Sequence, residues 1–172
     1  THYGDWTSPH GWVPGGFADV AHKNGVGVSG VASIPNASIN ANDGAWGQAL
    51  HEQVALDNEK LAKFLHYHGV DGLGYNAEFY GMSADLPALR TQHEFIHKYL
   101  VEQGNNLAEN FWYDGTNDNG GISFDGGIGS HNKETFGNGE HIRTSLFFNY
   151  NWHRSNVLNS LSNLQNVAPG RN

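Results

Sequence analysis

Helix-like and strand-like stretches alternate along this chain in units of about 35 residues, the length of a strand–helix repeat. Phe17 to Asn24 reads as a short helix closed by Gly25, and Val26 to Ile34 as a strand ended by Pro35. Asn42 and Asp43 can cap a long helix from about Ala45 to His68, with Leu50, Val54, Leu61, Phe64 and Leu65 turned inward. A central strand lies within Gly69 to Tyr80. Asp85 caps a helix from Leu86 to Gln103, Leu107 to Asp114 is a strand, and Gly115 to Gly129 is a Gly-rich loop. That loop carries a hairpin turn at Asn119-Gly120-Gly121 and a short arm at Ile122-Ser123-Phe124. Thr144 to Trp152 is the next strand and Arg154 to Val167 the last helix, while residues 1–16 read as loop.

Such alternation predicts parallel strands covered by helices, an α/β architecture. Strand ends rich in Asn, Glu, Tyr, Asp and Trp are what a (β/α)8 barrel shows at its catalytic face. About four strands are legible, whereas a barrel takes eight strands and about 250 residues. The expectation is therefore part of a (β/α)8 TIM barrel, about strands 3 to 6 with their helices. It is one segment, 1–172, with no internal domain boundary, and the remainder of the barrel comes from the same or another chain.

The central stretch holds the chemistry. Asn76 and Glu78 are two apart on a strand, so their side chains leave the same face, roughly 6.5 Å apart along it. A carboxyl can protonate a leaving oxygen while a neighbouring amide holds developing charge or a substrate's own nucleophile. The bland alternative is a solvated strand end with two polar residues.

Composition narrows the partners. The formal net charge is −8, from 17 acidic and 9 basic residues with no Lys/Arg cluster, so a nucleic-acid footprint is absent. No apolar run approaches the ~18 residues needed to span a bilayer. The chain has no Cys, which removes disulfide and thiol chemistry without choosing a compartment; secreted or periplasmic placement is favoured over cytoplasmic. It also lacks Met at position 1 and a signal-like segment, the expectation for a mature or excised chain.

Other motifs give way to plainer readings. His93-Glu94-Phe95-Ile96-His97 matches the zinc-peptidase pattern H-E-x-x-H on a helix. Leu86, Leu89, Ile96 and Leu100 share the stripe of both His, which sets the imidazoles against the sheet rather than in a cleft. Asp114 to Asp125 hints at a calcium loop, but Asn119 takes the place of the required Gly and Asp125 that of Glu. A plain turn is expected there, and Asn36-Ala37-Ser38 is a chance glycosylation triplet. No nucleophile elbow, phosphate loop or dinucleotide fingerprint occurs.

The central strand matches the pattern D-x-x-x-x-[DN]-x-E, with Asp71, Asn76 and Glu78 in register. In its Asn-x-Glu form it resembles the endo-β-N-acetylglucosaminidases of glycoside hydrolase family 85. The helix–strand junction His22-Lys23-Asn24-Gly25-Val26, Trp112-Tyr113-Asp114 with the arm Ser123-Phe124-Asp125, Phe147 to Trp152, and Pro169-Gly170-Arg171 are similar to further segments of that family, in the same order. Phe124 stands where the family usually has Trp, and Asp125-Gly126 where it has Gln-Asn. Gly74 and Ala77 are smaller than the aliphatics usual on this strand, and the family's first, seventh and eighth strands are expected to be missing.

The resemblance implies hydrolysis of the β-1,4 bond between the two core GlcNAc residues of an N-glycan, with no metal or organic cofactor. The substrate's 2-acetamido oxygen would attack the anomeric carbon, so a single enzyme carboxyl suffices. Glu78 would be the acid and then the base, and Asn76 would hold the acetamido nitrogen. Tyr113, Asp114, Phe124, Asn149 and Trp152 would be substrate-binding. The rival classes are a zinc-dependent hydrolase or peptidase built on the His93–His97 helix, separable by chelation, and a non-catalytic glycan-binding module.

Overall fold

In the computed structural model, the residues described are 2–5, 13–33, 52–78, 80–137, 144–167 and 169. Five strands, β1 (His2–Asp5), β2 (Gly27–Ser33), β3 (Gly72–Asn76), β4 (Asn110–Tyr113) and β5 (Thr144–Phe147), form one sheet. Its order is β1-β2-β3-β4-β5 and every neighbouring pair is parallel. Helices α1 (Gly15–Lys23), α2 (Asn58–Tyr67), α3 (Leu86–Glu102), α4 (Lys133–Gly137) and α5 (Arg154–Val167) lie between and after the strands. A doubly wound sheet reverses its strand order part-way. Here the order never reverses, as in an arc of a barrel, and the α/β expectation holds.

Side chains leave a strand alternately to the two faces. Val28, Ala32, Leu73, Tyr75 and Trp112 face the helices and form one core with Ala18, Ala21, Ala62, Leu65, Leu89, Ile96 and Leu100. Val31, Phe111 and Tyr113 are buried outside that core, on the other face, where the place of a Cβ at Gly74 meets the Phe111 ring. That second face is the barrel's interior.

Both His of H-E-x-x-H lie on α3. His93 is buried, its ring stacked on Tyr75 at 4.1 Å and edge-on to Trp112, and its Nδ1 lies 3.2 Å from Thr144 Oγ1. Burial pushes its imidazole down to about 3, so it is neutral. The packing role expected of it is the role it has. Among the described residues, no three His, Asp or Glu converge to hold a metal ion, and no helix is long and apolar enough to cross a membrane.

Three elements differ from the sequence reading. Residues 2–5 are not loop but strand β1, paired from His2↔Gly27 to Asp5↔Gly30. Gly and Asp are poor strand formers, and pairing with β2 overrides them. The long helix ending at His68 is broken: residues 55–57 are non-helical, and Asp57 caps α2 by accepting from the Lys60 amide at 3.0 Å. A short acidic side chain does better as a cap than inside a helix. Residues 34–51, with the other half of that helix and its Asn42-Asp43 cap, lie outside the described residues, as do Phe79, Gly170 and Arg171. The strand read across Thr144 to Trp152 stops at Phe147 and turns through Tyr150 and Asn151.

Asp71, the first residue of the D-x-x-x-x-N-x-E pattern, stands at the opposite end of β3 from Asn76. It accepts from the Val28 amide (2.6 Å) and Asn105 Nδ2 (2.8 Å), and pairs with His22 Nε2 (2.8 Å). One buried carboxylate thereby ties α1, β2, β3 and the α3–β4 turn together. Its place at the N-terminal end of the strands makes it scaffold.

Candidate active site

β3 ends at Asn76, and Glu78 lies two residues beyond it. The chain between them is pinned: Thr116 Oγ1 donates to the Ala77 carbonyl at 2.7 Å. Glu78 therefore stays beside Asn76 although the strand has ended, with the Asn76 amide near enough to its carboxyl to favour the charged form. Burial raises the Glu78 pKa above the usual carboxylate range, against the pull of hydrogen bonds from Tyr113 and Asn76 that favour the charged form. Asn76 Oδ1, at the C-terminal end of β3, is a buried acceptor with no partner among the described residues.

Tyr113 closes β4, and its register partner on β5 is Phe147. On the other side Tyr75 pairs with Trp112, so continuing that register sets Asn76 beside Tyr113. The Tyr113 hydroxyl donates to Asn149 Oδ1 at 2.9 Å and also bonds to Glu78. A phenol has one proton, so the two bonds alternate with the state of Glu78. A protonated Glu78 can donate to the phenol oxygen while Tyr113 serves Asn149; an ionised Glu78 can accept the phenol's hydrogen bond instead. Burial, then the nearby Glu78 charge, push the Tyr113 pKa up to about 12, so the phenol stays protonated and remains a donor.

Phe124 stands edge-on to Tyr113 with ring centroids 6.3 Å apart, and Phe147 lies at the same distance on the β5 side. Trp152 is 53 % exposed and ends the turn that starts at Asn149, whose carbonyl accepts its amide at 3.3 Å; its ring packs on Phe148. Glu78, Asn76, Tyr113 and Asn149 thus stand together at the C-terminal ends of the strands, with Phe124 beside Tyr113. Trp152 belongs to the rim. Asp114 has a different setting: it is 2 % exposed, on the far side of β4 from Tyr113 and beneath the Gly126-Gly127 turn. Burial pushes its carboxyl up to about 6.

The profile of Glycosyl hydrolase family 85 matches residues 11–171. The chain belongs to glycosyl hydrolase family 85. Among solved structures, the fold matches the glycoside hydrolase domain of Endo-D from Streptococcus pneumoniae R6, with a TM-score of 0.71 and 23 % identity. That match covers 91 % of this chain and 25 % of the other, so the chain spans a quarter of that protein's length. No curated protein sequence matches it significantly.

For a family 85 chain, two contributors at the mouth were passed over in the sequence. Tyr150 is 91 % exposed on the turn after β5, with its phenol near that of Tyr113. Its signal was its place between Asn149 and Trp152 in an aromatic run. Thr116, which fixes the approach to Glu78, sits in a Gly-rich turn where nothing marks a hydroxyl as structural.

Proposed function

We propose that this chain carries the catalytic strand of an endo-β-N-acetylglucosaminidase, which hydrolyses the GlcNAc-β-1,4-GlcNAc core bond of N-glycans by a substrate-assisted, retaining mechanism. The observation that supports it best is the place of Asn76 and Glu78 side by side at the C-terminal end of β3, in a family 85 chain. Glu78, whose pKa burial raises, gives its proton to the leaving GlcNAc oxygen. The substrate's acetamido oxygen closes on the anomeric carbon as that bond breaks, and the acetamido N–H finds its acceptor in Asn76 Oδ1. Glu78, now a carboxylate, takes a proton from the incoming water, which opens the oxazolinium from the other side. Two inversions leave the configuration retained. No step draws on a metal or an organic cofactor. The substrate is an N-glycan or glycopeptide met in a secreted or periplasmic setting, and the rest of the barrel comes from the same or another chain.

A digest of a high-mannose glycopeptide by the full-length protein tests this reading. The peptide should emerge in the mass spectrum bearing a single GlcNAc. A bare peptide, or a ladder of single-sugar losses, would sink it.

Tyr113→Phe separates the phenol from the ring. The lost hydrogen bond favours ionised Glu78, so its removal should raise the Glu78 pKa further and move the alkaline limb of kcat/KM to higher pH. The plateau should fall about tenfold, the worth of one bond to a charged group. A limb that stays in place or moves down would show that the phenol does not act on Glu78.

A further inference from the structure

Behind the cleft, residues 122–131 form an arm that carries Phe124. One side of it is fastened to the loop after β4, by a Thr116↔Ile122 bridge and by the Ser123 amide donating to Gly115 O at 3.1 Å. The other side is fastened to α5, by the Ile128 amide on Ser160 Oγ (2.9 Å) and Asn163 Nδ2 on Ile128 O (2.6 Å). Between the two fastenings lie Gly126 and Gly127, at φ of 71° and 155°. A Cβ at either would meet α5, at 2.7 Å from Asn156 Nδ2 and 2.2 Å from Ser160 Oγ. Only glycine fits there, and the pair turns two successive amides toward Asp114, an arrangement suited to an anion.

The Gly126 and Gly127 amides face the Asp114 carboxylate without completing a hydrogen bond, and they donate to no other described acceptor. Both carboxylate oxygens are buried without a partner. An unsatisfied buried carboxylate is costly, and a slight inward movement of the turn would supply both donors it lacks.

We propose that Asp114 is the positioning residue of this arm: its carboxylate is the acceptor onto which the Gly126 and Gly127 amides close, holding Phe124 in its place against Tyr113. The inference rests on reading the sheet mouth as the glycan site, with Phe124 as a wall for the sugar on the product side. The charged and titratable groups facing Asp114 are Asp125 and His131 on the arm and Tyr113 on its own strand. Asp125 opposes ionisation of Asp114 and His131 favours it, while Asp125 Oδ2 and His131 Nε2 lie 3.1 Å apart. From α5 the arm meets the uncharged Asn156, Ser160 and Asn163. Ionised Asp114 closes the arm and protonated Asp114 releases it, so closure is lost as pH falls and the carboxyl takes up its proton.

The sign of the stability effect makes the test selective. Asp114 has a folded pKa raised above its unfolded value, so its stability contribution is fully present below the unfolded pKa and is lost as pH rises through about 6. Asp114→Asn should therefore leave the full-length protein at least as stable at neutral pH. Amide exchange of the 122–131 peptide, corrected for the intrinsic pH dependence, is the direct readout. In the wild type, protection should drop about tenfold between pH 7.5 and pH 5; in Asp114→Asn it should be low at both. With a sugar oxazoline donor, the variant's KM for a GlcNAc acceptor should rise several-fold more than its kcat falls. Equal protection in the two proteins at pH 7.5, or a wild-type value that ignores pH, overturns the proposal. Failure to release a single-GlcNAc peptide would instead overturn the glycosidase reading, and the exchange result would still decide the role of Asp114.

Discussion

Replacing Glu78 by Ala should cost the full-length enzyme about 10²–10⁴-fold in glycan hydrolysis, the range for a positioned acid–base group. Asn76→Ala should cost a comparable factor, because the acetamido group loses the acceptor that orients it while charge develops. The two variants should part company with a preformed sugar oxazoline as donor. The ring is then already closed and no leaving group needs a proton, so the work assigned to Asn76 is done. Opening it with a GlcNAc acceptor still needs a base. Asn76→Ala should accordingly transfer sugar from the oxazoline while scarcely hydrolysing the glycan, and Glu78→Ala should be poor at both. Parallel assays of hydrolysis and transfer would read this directly. Equal loss of both activities in both variants would refute the division of labour.

Gly72→Ala should be the most damaging small substitution in the sheet. A methyl there would lie 1.9 Å from the Glu109 carbonyl oxygen and 2.6 Å from its carbon, distances real Cβ contacts do not reach. Ser29 Oγ, which donates to that same carbonyl at 2.9 Å, would be crowded at 3.1 Å. The obstacle is backbone, held by the Glu109 amide on Asp71 O at 2.9 Å, so it has no rotamer to escape into. Relief must come from parting β3 and β4, with a loss of about 3 kcal/mol, the upper range for overpacking. Gly16→Ala is the control: its methyl would meet nothing within 4 Å, on the exposed side of α1, and should gain up to about 1 kcal/mol. Chemical denaturation of the two variants compares them, and an unchanged midpoint for Gly72→Ala would contradict the packing described.

The sequence carried the sheet because β2, β3 and β4 each have a buried face and a legible helix before them, whereas the short helix before β5 left no signal in the Gly-rich stretch. It did not carry β1, since His-Tyr-Gly-Asp has no period or propensity to betray a strand and becomes one only through β2. The pairing of Asn76 with Glu78 was legible as two positions on one face of a strand. In fact the strand ends between them, and Thr116, 38 positions later, holds the carboxyl in place through Ala77. A contact that distant leaves no local pattern. Tyr113 and Asn149 were legible through the resemblance alone, whereas the enclosure of Asp114 depends on how the Gly-rich loop folds over β4. The break at Asp57 was in principle readable, because Asp just before a helical run is a common start signal.

The register of the sheet has a further consequence for recognition. Asn76 and Tyr113 close neighbouring parallel strands, so their lateral pitch is the inter-strand spacing of about 4.8 Å. That pitch is fixed by backbone hydrogen bonds and owes nothing to the loops. Loop sequence at the mouth can therefore drift, exchanging Trp for Phe124 or lengthening the arm, and change which sugars are admitted while the reacting centre keeps its scale. Selectivity and chemistry can evolve here on separate parts of the chain.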